Sequence, residues 1–160
     1  DPAHRAPVWK AMEHCLEQGW VKSIGVSNYG EAHLDAMKKY ANYMPSVNQV
    51  EYNPWLQRPH LKKATEDSGA KLMAYSPLAR GHRVDDPELG AIAERLGCTP
   101  AQVAIKFCYD QGCITIPKSS NPSRIIENIA SLEVDISSEM DAIRALDENY
   151  VSGWDPTTEP

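Results

Sequence analysis

The sequence predicts an α/β fold of parallel strands joined by crossover helices, and within that class half of a β/α barrel. Three observations carry this expectation. Segments with the spacing of amphipathic helices alternate with four short strand-like runs, the order that gives parallel strands and right-handed crossovers. Each expected strand ends in polar residues: Ser27 and Asn28, Gln49 and Glu51, Tyr75 and Ser76, Lys118 and Ser119. Barrels build their ligand face from such strand ends. Open sheets obey the same rule but seat phosphate on a glycine-rich first turn, and no GxGxxG run occurs here.

Taken in order, Val8, Met12, Cys15 and Leu16 share one helical face, and Gly19 stops that helix. Residues 21–26 read as the first strand, with Ile24 and Val26, and residues 31–40 as a helix carrying Leu34 and Met37. The second strand, 47–52, alternates, with Gln49 and Glu51 on one face and Val50 and Tyr52 on the other. Asn53 and Pro54 end it. Pro59 suits the first position of a helix that runs to Ser68 and Gly69. A third strand, 71–75, stops at Ser76 and Pro77, and helices over 87–96 and 100–110 follow. The second of these opens on Thr99 and Pro100, a cap and then proline at the first helical position. Residues 113–116 form the fourth strand, 122–130 the next helix and 137–147 the last.

A closed barrel needs eight strand–helix units and about 250 residues, whereas these 160 residues show four strands and open on a helix, as though a strand had preceded it. Four strands alone leave two sheet edges unpaired. The expectation is therefore half a barrel, either a fragment or a chain that needs a partner. A net charge of −6 argues against nucleic acid and against an anionic membrane surface, because there is no basic excess to meet phosphates. No apolar run reaches the roughly 20 residues of a membrane helix, and the polar start carries no secretory signal. Cys15, Cys98, Cys108 and Cys113 form no CxxC pair and have no histidine at ligand spacing, so no metal is expected. Their apolar contexts predict reduced, buried thiols and a cytoplasmic location.

Four segments carry chemistry. Ser27 and Asn28 offer a hydroxyl and an amide to a polar ligand such as a carboxamide, although a capping turn at Asn28, Tyr29 and Gly30 would use the same residues. Gln49 and Glu51 need partners wherever they are buried, which a barrel interior supplies without any ligand. Tyr75 at a strand end suits stacking on a flat heterocycle with Ser76 beside a phosphate, or simply the closing of a core. The fullest segment runs from 116 to 128. Lys118, Ser119 and Ser120 follow a strand, a helix then opens with free amides, and Arg124 lies in its first turn. Charge, helix N-terminus and guanidinium fork together fit an anion such as phosphate; a capped helix with solvated charges has the same residues.

With these segments in order, the chain resembles the aldo-keto reductase family. The matching runs span residues 9–13, 23–28, 47–55, 74–78 and 116–119, with Arg124, Glu127 and Asn128. The resemblance covers nearly the whole chain and implies a (β/α)8 TIM barrel of which residues 1–160 are the C-terminal half, incomplete without the N-terminal half. It implies NADPH as cofactor and a small-molecule aldehyde or ketone as substrate. By that resemblance Ser27 and Asn28, helped by Gln49, would hold the nicotinamide carboxamide, and Tyr75 would stack on the ring. Ser76 and Leu78 would line the pyrophosphate. Lys118, Ser119 and Arg124 would bind the adenosine 2′-phosphate, while Glu127 and Asn128 would reach the adenine. Residues 148–160, with Gly153, Trp154, Asp155 and Pro156, resemble the family tail that walls the substrate pocket.

The family's catalytic Asp, Tyr, Lys and His lie on strands ahead of the point where these residues begin. No catalytic residue is therefore expected in the 160 residues, and the chain alone is expected to be inactive. Two functions follow. One is an NADPH-dependent reductase whose cofactor-binding half is seen here, completed by the N-terminal half of the barrel. The other is a non-catalytic nucleotide-binding or scaffold protein made by the half-barrel alone, with a second chain covering the sheet edges.

Overall fold

The structure, a computed structural model, describes residues 2–159. Its elements alternate as the sequence predicts: α1 (Pro2–Glu17), β1 (Val26–Ser27), α2 (Glu31–Met37), β2 (Val47–Glu51), α3 (Pro59–Asp67), β3 (Lys71–Tyr75), α4 (Pro87–Leu96), α5 (Pro100–Asp110), β4 (Ile114–Thr115), α6 (Pro122–Ala130) and α7 (Met140–Arg144). The four strands form one sheet in chain order. β1 runs parallel to β2 with Val26 opposite Asn48, and β3 parallel to β4 with Met73 opposite Ile114.

The chain divides into two compact units. The first comprises Asp1–Val50, Pro59–Leu72 and Asp155–Pro160. Its core gathers Trp9 of α1, Ile24 and Met37, with Leu16, Val26 and Met44 packed around them. A buried carboxylate belongs to the same packing. Glu13, 2% exposed, accepts the backbone amides of Asn42 (2.5 Å) and Tyr43 (3.0 Å) and pairs with Lys10 at 2.8 Å. Burial pushes this carboxyl up, but the Lys10 ammonium and the two amides outweigh it and hold it below the ordinary carboxylate value.

The second unit comprises Glu51–Arg58 and Met73–Trp154. α5 is its hub, packing on α4, α6, β4 and the 3-10 turn Ser131–Glu133. Phe107 of α5 lies parallel to Tyr52, with ring centroids 6.1 Å apart. α4 is capped by Asp86, whose carboxylate accepts the amides of Glu88 and Leu89 at 3.0 Å each and the buried Trp55 indole N–H at 3.1 Å. α5 carries the expected Thr99 cap, with Gln102 returning a bond to the Thr99 amide.

Several boundaries differ from the sequence reading, each for a local reason. The first helix starts at Pro2 rather than Val8 and carries Pro7 in its second turn, where the proline gives up one helical hydrogen bond. The first strand is two residues rather than six. Its ladder begins only where β2 begins, and Gly25 rests so close to Val47 that a Cβ would lie 2.5 Å from the valine methyl. The last helix is a 3-10 turn, Ser137–Glu139, and then α7, which is followed by Asp147 turning its carboxylate onto the Gln57 and Asn149 amides. Cys108 and Cys113 are buried, whereas Cys15 on α1 and Cys98 in the connection between α4 and α5 are only half-buried.

Candidate cofactor site

In the first unit, the end of β1 makes a tight polar turn. Asn28 donates its amide to the Gln49 carbonyl at 2.8 Å, and the Ser27 hydroxyl donates to the same oxygen at 2.9 Å. Ser27, Asn28 and Gln49 are thus brought together through the Gln49 carbonyl. Asn28 has φ 58°, a left-handed conformation that asparagine tolerates better than most residues but that still costs on the order of 1 kcal/mol. The turn is held there by a residue the functional reading passed over. Asn48, fully buried, accepts the Tyr29 amide at 3.2 Å and donates to the Tyr29 carbonyl at 2.8 Å and to Thr65 Oγ1 at 3.2 Å. The signal was present: an amide one position before Gln49 faces the buried side with Val50, where it must find partners.

The same alternation placed Glu51 beside Gln49. Glu51 is 2% exposed, however, and its carboxylate accepts the buried Ser152 amide, which gives it a structural partner in the second unit. Asn53 is fully buried as well; its side chain accepts the Trp55 amide and donates to the Ser76 carbonyl.

In the second unit, the segment after β3 is conformationally strained. Ser76 (φ 48°), Ala79 (φ 46°) and Arg80 (φ 55°) all take left-handed backbone, a concentration of strain that accompanies functional loops. Tyr75, Ser76 and Leu78 are half-buried at its start. Residues 148–153 clamp its far side. Arg83 pairs with Glu148 and lies 4.4 Å over the Tyr150 ring, and His82 bonds the Tyr150 hydroxyl at 3.2 Å.

Beyond β4 the chain forms the N-terminal cap of α6. The Asn121 carboxamide oxygen accepts the Ser123 amide and hydroxyl at 3.0 and 2.7 Å, and Ser119 Oγ accepts the Asn121 amide at 3.1 Å. Lys118, Ser119 and Asn128 line a cleft of about 840 Å³ whose remaining wall is mostly apolar, including Ile105, Ile125 and Ile129. Arg124 projects from the first turn of α6 outside that lining. Among the described residues, neither Lys118 nor Arg124 has an ion-pair partner, so two cations stand free to meet an anion. The helix amides expected to be free are largely used, because Pro122 has no N–H and the Ser123 and Ile125 amides both bond Asn121. Glu127 is committed elsewhere, accepting the Thr99 hydroxyl at 2.6 Å.

Comparison with known proteins matches this order of elements to one family. The model of the aldo/keto reductase family matches residues 1–148. The chain belongs to the aldo/keto reductase family. An uncharacterized oxidoreductase of Schizosaccharomyces pombe is 37% identical over 158 residues, covering 98% of this chain and 58% of that protein. Aldose reductase B of Dictyostelium discoideum is 43% identical over 144 residues, 88% of this chain and 46% of its own. The crystal structure of Gox0644 in its apo form superposes with a TM-score of 0.89 at 36% identity, covering 97% of this chain and 58% of that one. This aldo/keto reductase chain therefore spans about half the length of the relatives it matches, and its four parallel strands and seven helices match part of their fold.

Within this aldo/keto reductase chain the Cys108 thiol is not poised for chemistry. Burial pushes Cys108 well above its ordinary value, and its Sγ points at the Tyr52 carbonyl at 3.5 Å. Among the described residues no cluster of three His, Cys, Asp or Glu side chains is placed to hold a metal ion, and no helix is long and apolar enough to cross a membrane.

Proposed function

We propose that these residues are the C-terminal, cofactor-binding half of a (β/α)8 barrel in an NADPH-dependent reductase that converts aldehydes or ketones to alcohols. The observation that carries this reading is the pair of unpartnered cations, Lys118 and Arg124, with Ser119 at the capped start of α6. Both side chains are exposed and solvated, and in a chain of net charge −6 they offer an anion two cations with no competing partner among the described residues. A 2′-phosphate carries the right charge, and a guanidinium suits its oxygens.

On this reading Ser27, Asn28 and Gln49 hold the nicotinamide carboxamide, and Tyr75 stacks on its ring. Ser76 and Leu78 line the pyrophosphate, and Asn128 and Glu127 lie toward the adenine. Glu127 must give up its bond to Thr99 or share it. The bound cofactor supplies the hydride. The proton donor comes from outside these 160 residues, the barrel is completed by its N-terminal half, and the protein works in the cytoplasm. Residues 148–160 serve as the tail beside the substrate.

The test is cofactor discrimination. Lys118→Met combined with Arg124→Met should weaken NADPH by roughly a hundredfold while leaving NADH nearly unchanged, the two charged contacts being worth about 1.5 kcal/mol each. Fluorescence titration of both cofactors measures this directly. Equal weakening of the two, or no change in either, overturns the phosphate assignment.

A further inference from the structure

We propose that residues 155–159 act as a latch on the turn that follows β1, with His33 as the positioning residue that closes it. The inference rests on the preceding reading in one respect only, that the Asn28 side chain meets a carboxamide.

The latch is built from the backbone outward. The tail folds on itself first. Asp155 accepts the Thr157 amide at 3.1 Å and the Thr157 hydroxyl at 2.7 Å, and the Thr158 hydroxyl donates to the Asp155 carbonyl at 3.2 Å. This 3-10 turn, Pro156–Thr158, leaves the carbonyls of Thr157 and Glu159 to face α2. The Thr157 carbonyl sits against Gly30, so close that a Cβ on residue 30 would overlap its oxygen. Glycine is required there by contact, since its φ of −78° is open to any residue.

His33 then joins the two segments. It is 7% exposed and lies edge-on to Tyr29, with ring centroids 5.7 Å apart. Its Nδ1 accepts the Gly30 amide at 3.0 Å, so that nitrogen carries no proton. The proton therefore sits on Nε2, which donates to the Glu159 carbonyl at 2.6 Å. One imidazole thus spends its acceptor on the turn and its donor on the tail. A ring bonded on both sides is fixed in tautomer and orientation. Asn28 lies directly before this bridge, and Asn48 grips Tyr29 from the other side. The strained Asn28 is held between two clamps, the Asn48 side chain on the sheet and the tail on α2. Tail and ligand need not touch. The tail acts through the turn.

The experiment uses the protein at its native length, with His33→Leu, His33→Gln and a chain ending at Trp154. Glutamine can present one acceptor and one donor where leucine presents neither. Hydrogen exchange at the Tyr29 and Gly30 amides is read first. His33→Leu and the truncation should each speed it about tenfold, no further when combined, and His33→Gln should restore most of the protection. NADPH and 2′,5′-ADP are then titrated. Loss of the latch should weaken NADPH about tenfold and leave 2′,5′-ADP, which has no nicotinamide, unchanged. Unaltered exchange in the leucine variant and the truncation overturns the latch. Equal weakening of both ligands reduces His33 to a structural residue and overturns its positioning role. If wild type binds neither ligand, the cofactor reading fails, and the exchange data alone decide the latch.

Discussion

Replacing Asn48 by alanine removes three neutral hydrogen bonds at once, two to the Tyr29 backbone and one to Thr65 Oγ1. Each such bond is worth about 1 kcal/mol net. Both Asn48 and Thr65 are fully buried, so water cannot replace the lost partner at Thr65, which adds about 1 kcal/mol more. The expected loss is about 3–4 kcal/mol, large for a single substitution and equivalent to a fall in Tm of about 10 °C in a chain of this size. Urea denaturation followed by far-ultraviolet circular dichroism measures it, with Thr65→Val as the internal scale, since that change removes one of the three bonds, leaves the buried Asn48 donor unpaired and should cost about 2 kcal/mol. Asn48→Asp tests the donor side separately. It keeps an acceptor for the Tyr29 amide but turns a carboxylate toward the Tyr29 carbonyl, and it should be no more stable than alanine. A loss under about 1 kcal/mol for Asn48→Ala, well short of three bonds, refutes the clamp. So would a Tyr29 amide that exchanges as slowly in the variant as in wild type.

Asp86→Ala removes the cap of α4 and the partner of the Trp55 indole together, and should lower stability by about 2–3 kcal/mol in the same denaturation assay, against about 1 kcal/mol for a cap alone. Glu13 sets an acid limit. Its carboxyl is held below the ordinary value in the folded chain, so its contribution is fully present above about pH 4.5 and is lost as pH falls through the lower folded value. Glu13→Gln should therefore be less stable than wild type at pH 7 and converge on it in acid, as thermal melts at both pH values will show. A constant gap between the two proteins would mean that the carboxylate charge contributes nothing.

The helical faces and caps were legible because they depend on neighbours in sequence. α4, α5, α6 and β3 occupy the residues predicted for them, each bounded by a proline, a cap or a glycine that acts within a few positions. The strand-end polar residues were legible for the same reason, since alternation and a following turn mark them locally. Lengths of the short strands were not. β1 and β4 are two residues each because a ladder exists only where a partner strand runs alongside, and that partner is distant in sequence.

By itself, then, the sequence determined the alternation of strands and helices, the family resemblance and the set of polar residues at the strand ends. Tertiary structure alone decided which buried polar groups hold those ends in place. Asn48 meets Tyr29 across 19 positions, Glu51 meets Ser152 across 101, and His33 meets Glu159 across 126. Composition shows that such groups need partners. Only the folded chain, by excluding water from them, determines which partner each one takes.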